Sequence, residues 1–247
     1  MNVVARGEDG LSKDGLSPEA GYLGDGYFID SGSPEVRRFV ARALSGLPEE
    51  ASATEKAIRL FEAVRDGIRY DPYTVALTAD DYRASRIAEA EAAFCVPKAI
   101  LLTACLRAAG IPAAIGFADV RNHLNTPKLR ELMGTDVFIY HGYVQLWLDG
   151  KAHKVTPAFN MDLCERFGVK PLVFNGRDDA LFHEFDVNAR RHMEYVNDRG
   201  IYADPPIEEF LRAFSETYPG LEAFYRQRIS RDAEGVDAKF AAKGNAS

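Results

Sequence analysis

A cysteine and a histidine in this chain have side chains and positions suited to nucleophilic chemistry. Cys95 lies near the start of the segment AFCVPKAILLTACLRAAGIP, residues 93–112, and His141 lies in an apolar run further along. A thiol at a helix start lies beside unpaired N–H groups and the positive end of the helix dipole, and both favour the thiolate. With a histidine as base, such a thiol can attack a carbonyl carbon. We therefore predict Cys95 to be the nucleophile of an acyl-transfer reaction.

The element that must position Cys95 is a helix from about Pro97 to Ala109. Proline is tolerated just inside a helix start, and the following Gly110 and Pro112 are typical stop signals. Apolar residues recur between these ends at helical spacing, and they are Leu101, Leu102, Cys105, Leu106 and Ala109. The pattern predicts a buried core helix. Cys105 fits an ordinary core position, and Lys98 is expected to make a solvated surface contact.

The element that must position His141 is a β-hairpin. Its strands are predicted at Val137–Leu148 and Lys151–Thr156, joined by the two-residue turn Asp149-Gly150. This turn sets the register, so that Tyr143 faces Thr156.

Alternation of side chains in this register puts His141, Tyr143 and Thr156 on one face of the hairpin. His141 and Thr156 are then diagonal neighbours, roughly 7–8 Å apart. Asn160 is the other diagonal neighbour if the strand continues past Pro157.

Four short motifs resemble those of the transglutaminase-like superfamily, whose core is that of the papain-like cysteine proteases. They are FCxxKAxLL from Phe94, AGIPA from Ala109, HGYxxxW from His141 and VTP from Val155. The resemblance is to a bacterial-type member and covers roughly Ala57 to Asn160.

This resemblance implies an α+β fold in which a central helix carrying the cysteine packs on an antiparallel sheet, with extra helices at both ends. It also implies that Cys95 is the nucleophile and that His141 is general base and then general acid. The residue before the hairpin's closing proline would orient His141. No metal or organic cofactor is implied.

The orienting residue departs from the family pattern, because Thr156 stands where the family usually has aspartate. A hydroxyl can accept a hydrogen bond from imidazole but carries no charge to stabilise imidazolium. Three accounts remain open. Thr156 orients His141 with reduced effect, Asn160 or Asp162 takes over the role, or the site no longer catalyses.

The remaining polar and aromatic candidates have simpler explanations. An oxyanion would be stabilised by the Cys95 N–H and a side chain such as that of Tyr70, Tyr73 or Tyr82, although each is also explained as a packed aromatic. The cluster Arg121, Asn122 and His123 could line a cleft or form a solvated loop. His183, Asp186 and His192 do not have the spacing of a known zinc site, so no metal site is predicted.

Composition limits the classes of function. The net charge of −7 and the absence of a basic cluster argue against a nucleic-acid partner. Three cysteines without regular spacing argue against a disulfide framework and suit a reducing compartment. The N-terminus lacks an apolar signal region, and no apolar run is long enough to span a bilayer. We therefore expect a soluble, cytoplasmic protein with no membrane partner.

The chain is expected to divide into four parts: a flexible N-terminal arm at 1–32, the core at 33–160, a C-terminal elaboration at 161–231 and a tail at 232–247. Capped helices are predicted to begin after Ser33 and Ser52. Within the elaboration we predict helices at Met161–Phe167, near Ala189–Val196 and after Pro206.

Two functions from different classes follow. The first is cysteine-dependent acyl transfer on a peptide or an amide-containing small molecule, with hydrolysis as the default and transamidation possible. The second is a binding module that keeps the fold and cleft but has lost turnover, which the presence of Thr156 suggests. The sequence indicates neither the substrate nor the oligomeric state.

Overall fold

The computed structural model describes residues 18–122, 126–181 and 193–227. In these ranges the α-helices are α1 (Pro34–Ala43), α2 (Ala53–Gly67), α3 (Ala84–Ile87), α4 (Cys95–Ala108), α5 (Pro127–Met133), α6 (Met161–Phe167) and α7 (Ile207–Thr217). The strands are β1 (Arg69–Tyr70), β2 (Ala92–Ala93), β3 (Ala113–Asn122), β4 (Val137–Leu148), β5 (Lys151–Val155) and β6 (Met193–Tyr202).

The main sheet has the strand order β5-β4-β3-β6, and its neighbouring strands are antiparallel. The predicted hairpin register is confirmed, because Leu148 pairs with Lys151 and Val144 pairs with Val155. Asp149 and Gly150 both have positive φ, of 50° and 74°, as the primed turn requires. The strands β1 and β2 form a separate parallel pair.

The central helix α4 is buried from Cys95 to Arg107 and packs on β3 and β4. It begins two residues before the predicted start and ends at Ala108, where Gly110 turns the chain with a φ of 78°. Because α1, α2 and α3 pack on other sides of α4, no face of α4 is left for water. The predicted α+β fold, with the cysteine-bearing helix on an antiparallel sheet, is confirmed.

Both predicted helix starts are confirmed. The Ser33 side chain accepts a hydrogen bond from Val36 N–H, and Ser52 forms a full capping box with Glu55. In the C-terminal part, α6 matches its predicted bounds and α7 follows Pro206. The helix predicted near 189–196 is wrong in its described part, because a strand, β6, begins at Met193.

Residues 18–32, the described part of the predicted flexible arm, include side chains that pack in the core. Phe28 and Ile29 are buried in the core. The Asp204 carboxylate accepts hydrogen bonds from the backbone N–H groups of Tyr27, Phe28 and Ile29. This carboxylate therefore fixes the chain before α1. Residues 1–17 and the predicted tail lie outside the described residues.

Lys98 is fully buried, which contradicts the predicted surface contact. Its ammonium donates to the carbonyls of Arg65, at 2.8 Å, and of Ile68, at 2.5 Å, where α2 ends. A cation at a helix C-terminus satisfies carbonyls that have no partner within the helix. Lys98 thus ties α2 to α4. Burial lowers the pKa of this ammonium to about 7, although the nearby Asp66 carboxylate acts in the opposite direction.

We expect Lys98 to make the stability depend on pH. The unfolded chain keeps this lysine protonated up to its ordinary pKa of 10.5, whereas the folded chain releases the proton near pH 7. The unfolded state then binds more protons between these values, so the free energy of unfolding rises with pH in this window. Urea unfolding at pH 7 and pH 9 should show this rise in the wild type and in Lys170→Met, an exposed control, but not in Lys98→Met. An equal rise in the free energy of unfolding in all three proteins would contradict the assignment of this pH dependence to Lys98.

Candidate active site

Cys95 is the first residue of α4 and is 8% exposed. The backbone N–H groups of Gly142, Val96 and Cys95 itself lie near its sulfur and act to lower the pKa of the thiol. Burial nevertheless raises the pKa of the Cys95 thiol to about 11. The prediction that this position favours the thiolate is therefore wrong in this structure, because the desolvation of the sulfur outweighs the N–H donors.

Gly142 of β4 lies directly against the start of α4. A Cβ atom built on Gly142 would lie 3.0 Å from Val96 Cα and 3.2 Å from the Cys95 carbonyl oxygen. Glycine allows this contact because it has no side chain. This role of Gly142 was not predicted from the sequence, although Gly142 is the residue between His141 and Tyr143 in the HGYxxxW motif.

His141 lies next to Gly142, is 5% exposed and lines the same cavity as Cys95. Burial lowers the pKa of its imidazole to about 4. At neutral pH the thiol and the imidazole are thus both uncharged. The site differs in this respect from a preformed pair of thiolate and imidazolium.

Thr156 follows the last residue of β5 and is 3% exposed. Its N–H donates to the Ala180 carbonyl at 2.9 Å, as part of an isolated parallel bridge between Val155 and Ala180. Because Val155 pairs with Val144, alternation puts Thr156 on the face of His141 and Tyr143, as predicted. The Thr156 hydroxyl oxygen has no hydrogen-bond partner among the described residues, so it does not orient His141 here.

Asn160, the alternative orienting residue, has its side chain engaged elsewhere. Its amide nitrogen donates to the carbonyls of Arg65 and Ile68, and its oxygen accepts from Tyr70 N–H at 2.5 Å. Asn160 therefore shares the carbonyls at the end of α2 with Lys98. Asp162, the other alternative, lies exposed in the first turn of α6.

The cavity at Cys95 is narrow and mostly apolar, with a volume of about 50 Å³. Much of its wall comes from α7 and the residues after it, which belong to the predicted C-terminal elaboration of the core. Its aromatic walls include Tyr70, Phe94, Phe210, Phe214, Tyr218 and Tyr225. A space of this size holds no more than a few water molecules.

The three tyrosines considered for an oxyanion site differ in their surroundings. Tyr70 lines the cavity together with Cys95. The Tyr82 hydroxyl donates to the Ala76 carbonyl at 2.9 Å, and the Tyr82 ring packs on Phe94 and Phe210. Tyr73 packs on Phe224. The structure thus brings Tyr70 to the site and engages the Tyr82 hydroxyl elsewhere.

The polar cluster and the metal candidates fall partly or wholly outside the described residues. Arg121 forms an ion pair with Asp136 at 3.3 Å. His123, His183, Asp186 and His192 lie outside the described residues. Within the described ranges, no group of three or more His, Cys, Asp or Glu side chains could hold a metal ion. In the same ranges, no helix has the length and apolar character needed to cross a membrane.

Comparisons with known proteins give one family match and distant similarities to solved structures. Residues 38–154 match the family model described as the transglutaminase-like superfamily. No curated protein sequence matches the chain.

Among solved structures, one similar chain is named "Putative Cysteine Protease" and comes from Cytophaga hutchinsonii. It has 12% identity and a TM-score of 0.42, covering 78% of this chain and 57% of its own. Another is named "Putative Protease" and comes from Parabacteroides distasonis, with 18% identity, a TM-score of 0.35 and coverage of 55% and 26%. The chain thus spans a little over half of the first protein and about a quarter of the second.

We expect Gly142→Ala to separate β4 from the start of α4. The added methyl group would meet backbone atoms of α4 at 3.0–3.2 Å, and overpacking of this kind costs about 1–3 kcal/mol. Urea unfolding measures this loss. Gly24→Ala is the control, because no atom lies within 4 Å of the added methyl group there. Equal stability of the two variants would show that the contact is looser than described.

Proposed function

Because residues 38–154 belong to the transglutaminase-like superfamily, we propose that the chain catalyses cysteine-dependent acyl transfer on a peptide or another amide. Cys95 is the nucleophile and His141 is the general base and acid. The observation that carries this proposal is the shared cavity of Cys95 and His141 at the start of a buried helix, with N–H groups directed at the sulfur.

The uncharged site favours a mechanism in which proton transfer accompanies attack. The Cys95 sulfur forms a bond to the amide carbonyl carbon while its proton passes to the His141 imidazole. The C–N bond then breaks, and the imidazolium returns the proton to the leaving amine. The acyl group remains on Cys95 as a thioester.

Water is the default acceptor in the second half of the reaction. It adds to the thioester carbon and gives a proton to His141. The C–S bond then breaks while the imidazolium returns this proton to the sulfur, which releases a carboxylic acid and the free thiol. An amine in place of water would give transamidation. We assign the stabilisation of the oxyanion in both halves to the backbone N–H of Cys95 and a side chain such as that of Tyr70, which lines the cavity. This chemistry requires no metal or organic cofactor.

A second candidate function is a module that binds a peptide or small ligand without turnover. Two observations favour it: the cavity is narrow, and the Thr156 hydroxyl makes no hydrogen bond within the described structure. The two functions differ in whether His141 assists the chemistry of Cys95, and the following experiment measures that assistance.

Iodoacetamide alkylates Cys95, and peptide mass spectrometry measures the rate. We expect a plot of this rate against pH to have a plateau. General-base assistance by His141 is independent of pH above the imidazole pKa, about 4, and below the thiol pKa, about 11. His141→Ala should remove the plateau and lower the rate at pH 7 by about a hundredfold. The residual rate should then rise tenfold per pH unit as thiolate forms.

Two cysteine variants serve as controls for this assignment. Cys95→Ala should abolish acyl transfer. Cys105→Ala should keep the plateau and lose about 1 kcal/mol or more of stability, because Cys105 is fully buried in the core. Labelling at Cys105, or a plateau that survives His141→Ala, would refute the enzyme proposal in favour of the binding module.

Substitutions of Thr156 test which residue orients His141. Thr156→Val should leave the plateau unchanged, because the hydroxyl has no hydrogen-bond partner among the described residues. Thr156→Asp places a carboxylate on the His141 face, so it should raise the imidazole pKa and move the lower edge of the plateau to higher pH. Rate profiles between pH 3 and pH 9 measure both effects. If Thr156→Val shifts the edge, the threonine hydroxyl does orient His141.

A further inference from the structure

A β-bulge interrupts β4 immediately before His141. Before the bulge Phe138 pairs with Val120, and after the bulge His141 pairs with Ala118. Ile139 and Tyr140 therefore stand opposite one residue, Asp119. Tyr140 has a φ of 53°, which is rare for a residue with a bulky side chain. Such strain persists only where the surroundings fix it.

The bulge decides which residue of β4 meets the start of α4. Without it, the pairing of Phe138 with Val120 would continue to His141 opposite Phe117, whose side chain lies in the core beneath α4. His141 would then stand where Gly142 now stands, and a single Cβ there already meets Val96 Cα at 3.0 Å. The extra residue moves each later side chain of β4 to the opposite face of the sheet. It thus places Gly142 against α4 and His141 at the adjacent position.

Two side chains from other elements accept the N–H groups of the bulged residues. The hydroxyl of Tyr218, after α7, accepts from Ile139 N–H at 2.7 Å and donates to the Val137 carbonyl at 2.7 Å. The Asp119 carboxylate of β3 accepts from Tyr140 N–H at 3.0 Å. Both bulge residues are thereby held by hydrogen bonds that a regular ladder would not need.

Arg199 of β6 holds Asp119 and Tyr140 together. Its guanidinium donates to both oxygens of the Asp119 carboxylate, at 2.6 Å and 2.9 Å, and lies 4.1 Å from the centre of the Tyr140 ring. The Tyr140 hydroxyl donates to Glu209 of α7 at 2.7 Å. Because Asp119 is 7% exposed, its loss would leave a half-buried guanidinium and the buried Tyr140 N–H group without this acceptor.

We propose that Asp119 and Tyr218 are positioning residues, which lock the bulge and so set Gly142 against the start of α4 and hold His141 at the next position, where it lines the cavity of Cys95. The inference rests on the proposed function, since it gives these two residues a part in the base assistance by His141. Asp119 does not line the cavity, and Tyr218, which does, is assigned this role through the hydrogen bonds of its hydroxyl to the bulge. The family motifs of the sequence include neither of them.

The test compares the alkylation plateau of Cys95 in Asp119→Ala, Tyr218→Phe and a matched control, Asp30→Ala. Asp30 is also a nearly buried carboxylate, which accepts a backbone N–H from Ser85 and pairs with Arg83, away from the bulge. We expect Asp119→Ala and Tyr218→Phe to lower the plateau by on the order of tenfold to a hundredfold, as small displacements of catalytic groups do. Asp30→Ala should leave it unchanged while lowering the Tm.

Asp119→Asn provides the conservative variant, because its amide oxygen can still accept from Tyr140 N–H. It should recover part of the plateau and slow the amide hydrogen exchange of Tyr140 relative to Asp119→Ala. If Asp119→Ala does not fold, Tyr218→Phe and Arg199→Lys provide the same comparison.

The inference is overturned if His141→Ala lowers the plateau while Asp119→Ala and Tyr218→Phe keep the wild-type value and merely lower the Tm, as Asp30→Ala does. A wild-type profile that His141→Ala does not change contradicts the proposed function instead. These two failures are therefore distinguishable.

Discussion

The contact between Gly142 and the first turn of α4 is the constraint on which the rest of the site depends. It brings the sheet backbone against the sulfur-bearing residue, so N–H groups of β4 and of the helix itself act together to lower the pKa of the Cys95 thiol. It also removes the sulfur from water. Burial then outweighs the donors, and both the thiol and the imidazole of His141 stay uncharged at neutral pH. A reaction here must create charge during attack, where fixed N–H groups can stabilise it.

Elements distant in sequence maintain this contact. Lys98 and Asn160 bind the same carbonyls at the end of α2, which ties α2, α4 and the segment before α6 together. On the other side, Tyr218 and Asp119 satisfy the backbone of the bulge before His141. The region after the hairpin thus supplies part of the cavity wall and part of the support for β4.

Patterns that depend on local chemistry could be predicted from the sequence. The serine caps, the Asp149-Gly150 turn and the stop at Gly110 each satisfy backbone groups nearby, and they set α1, α2, the hairpin register and the end of α4. Features that depend on tertiary contacts could not be predicted in this way. Lys98 is buried because the end of α2 offers it carbonyls, and the polar β6 is a strand because β3 pairs with it. The bulge before His141 changes the face of later residues, which periodicity alone does not reveal.

The central claim is that the site rests as an uncharged thiol and imidazole, which burial maintains. Nitrogen-15 NMR of labelled histidine, with the His141 signals assigned through the His141→Gln variant, measures this directly as the pH changes. The account predicts that the His141 imidazole stays neutral down to a pKa of about 4. An imidazole that stays protonated through pH 7 would instead show an ion pair with a Cys95 thiolate, and would contradict the account.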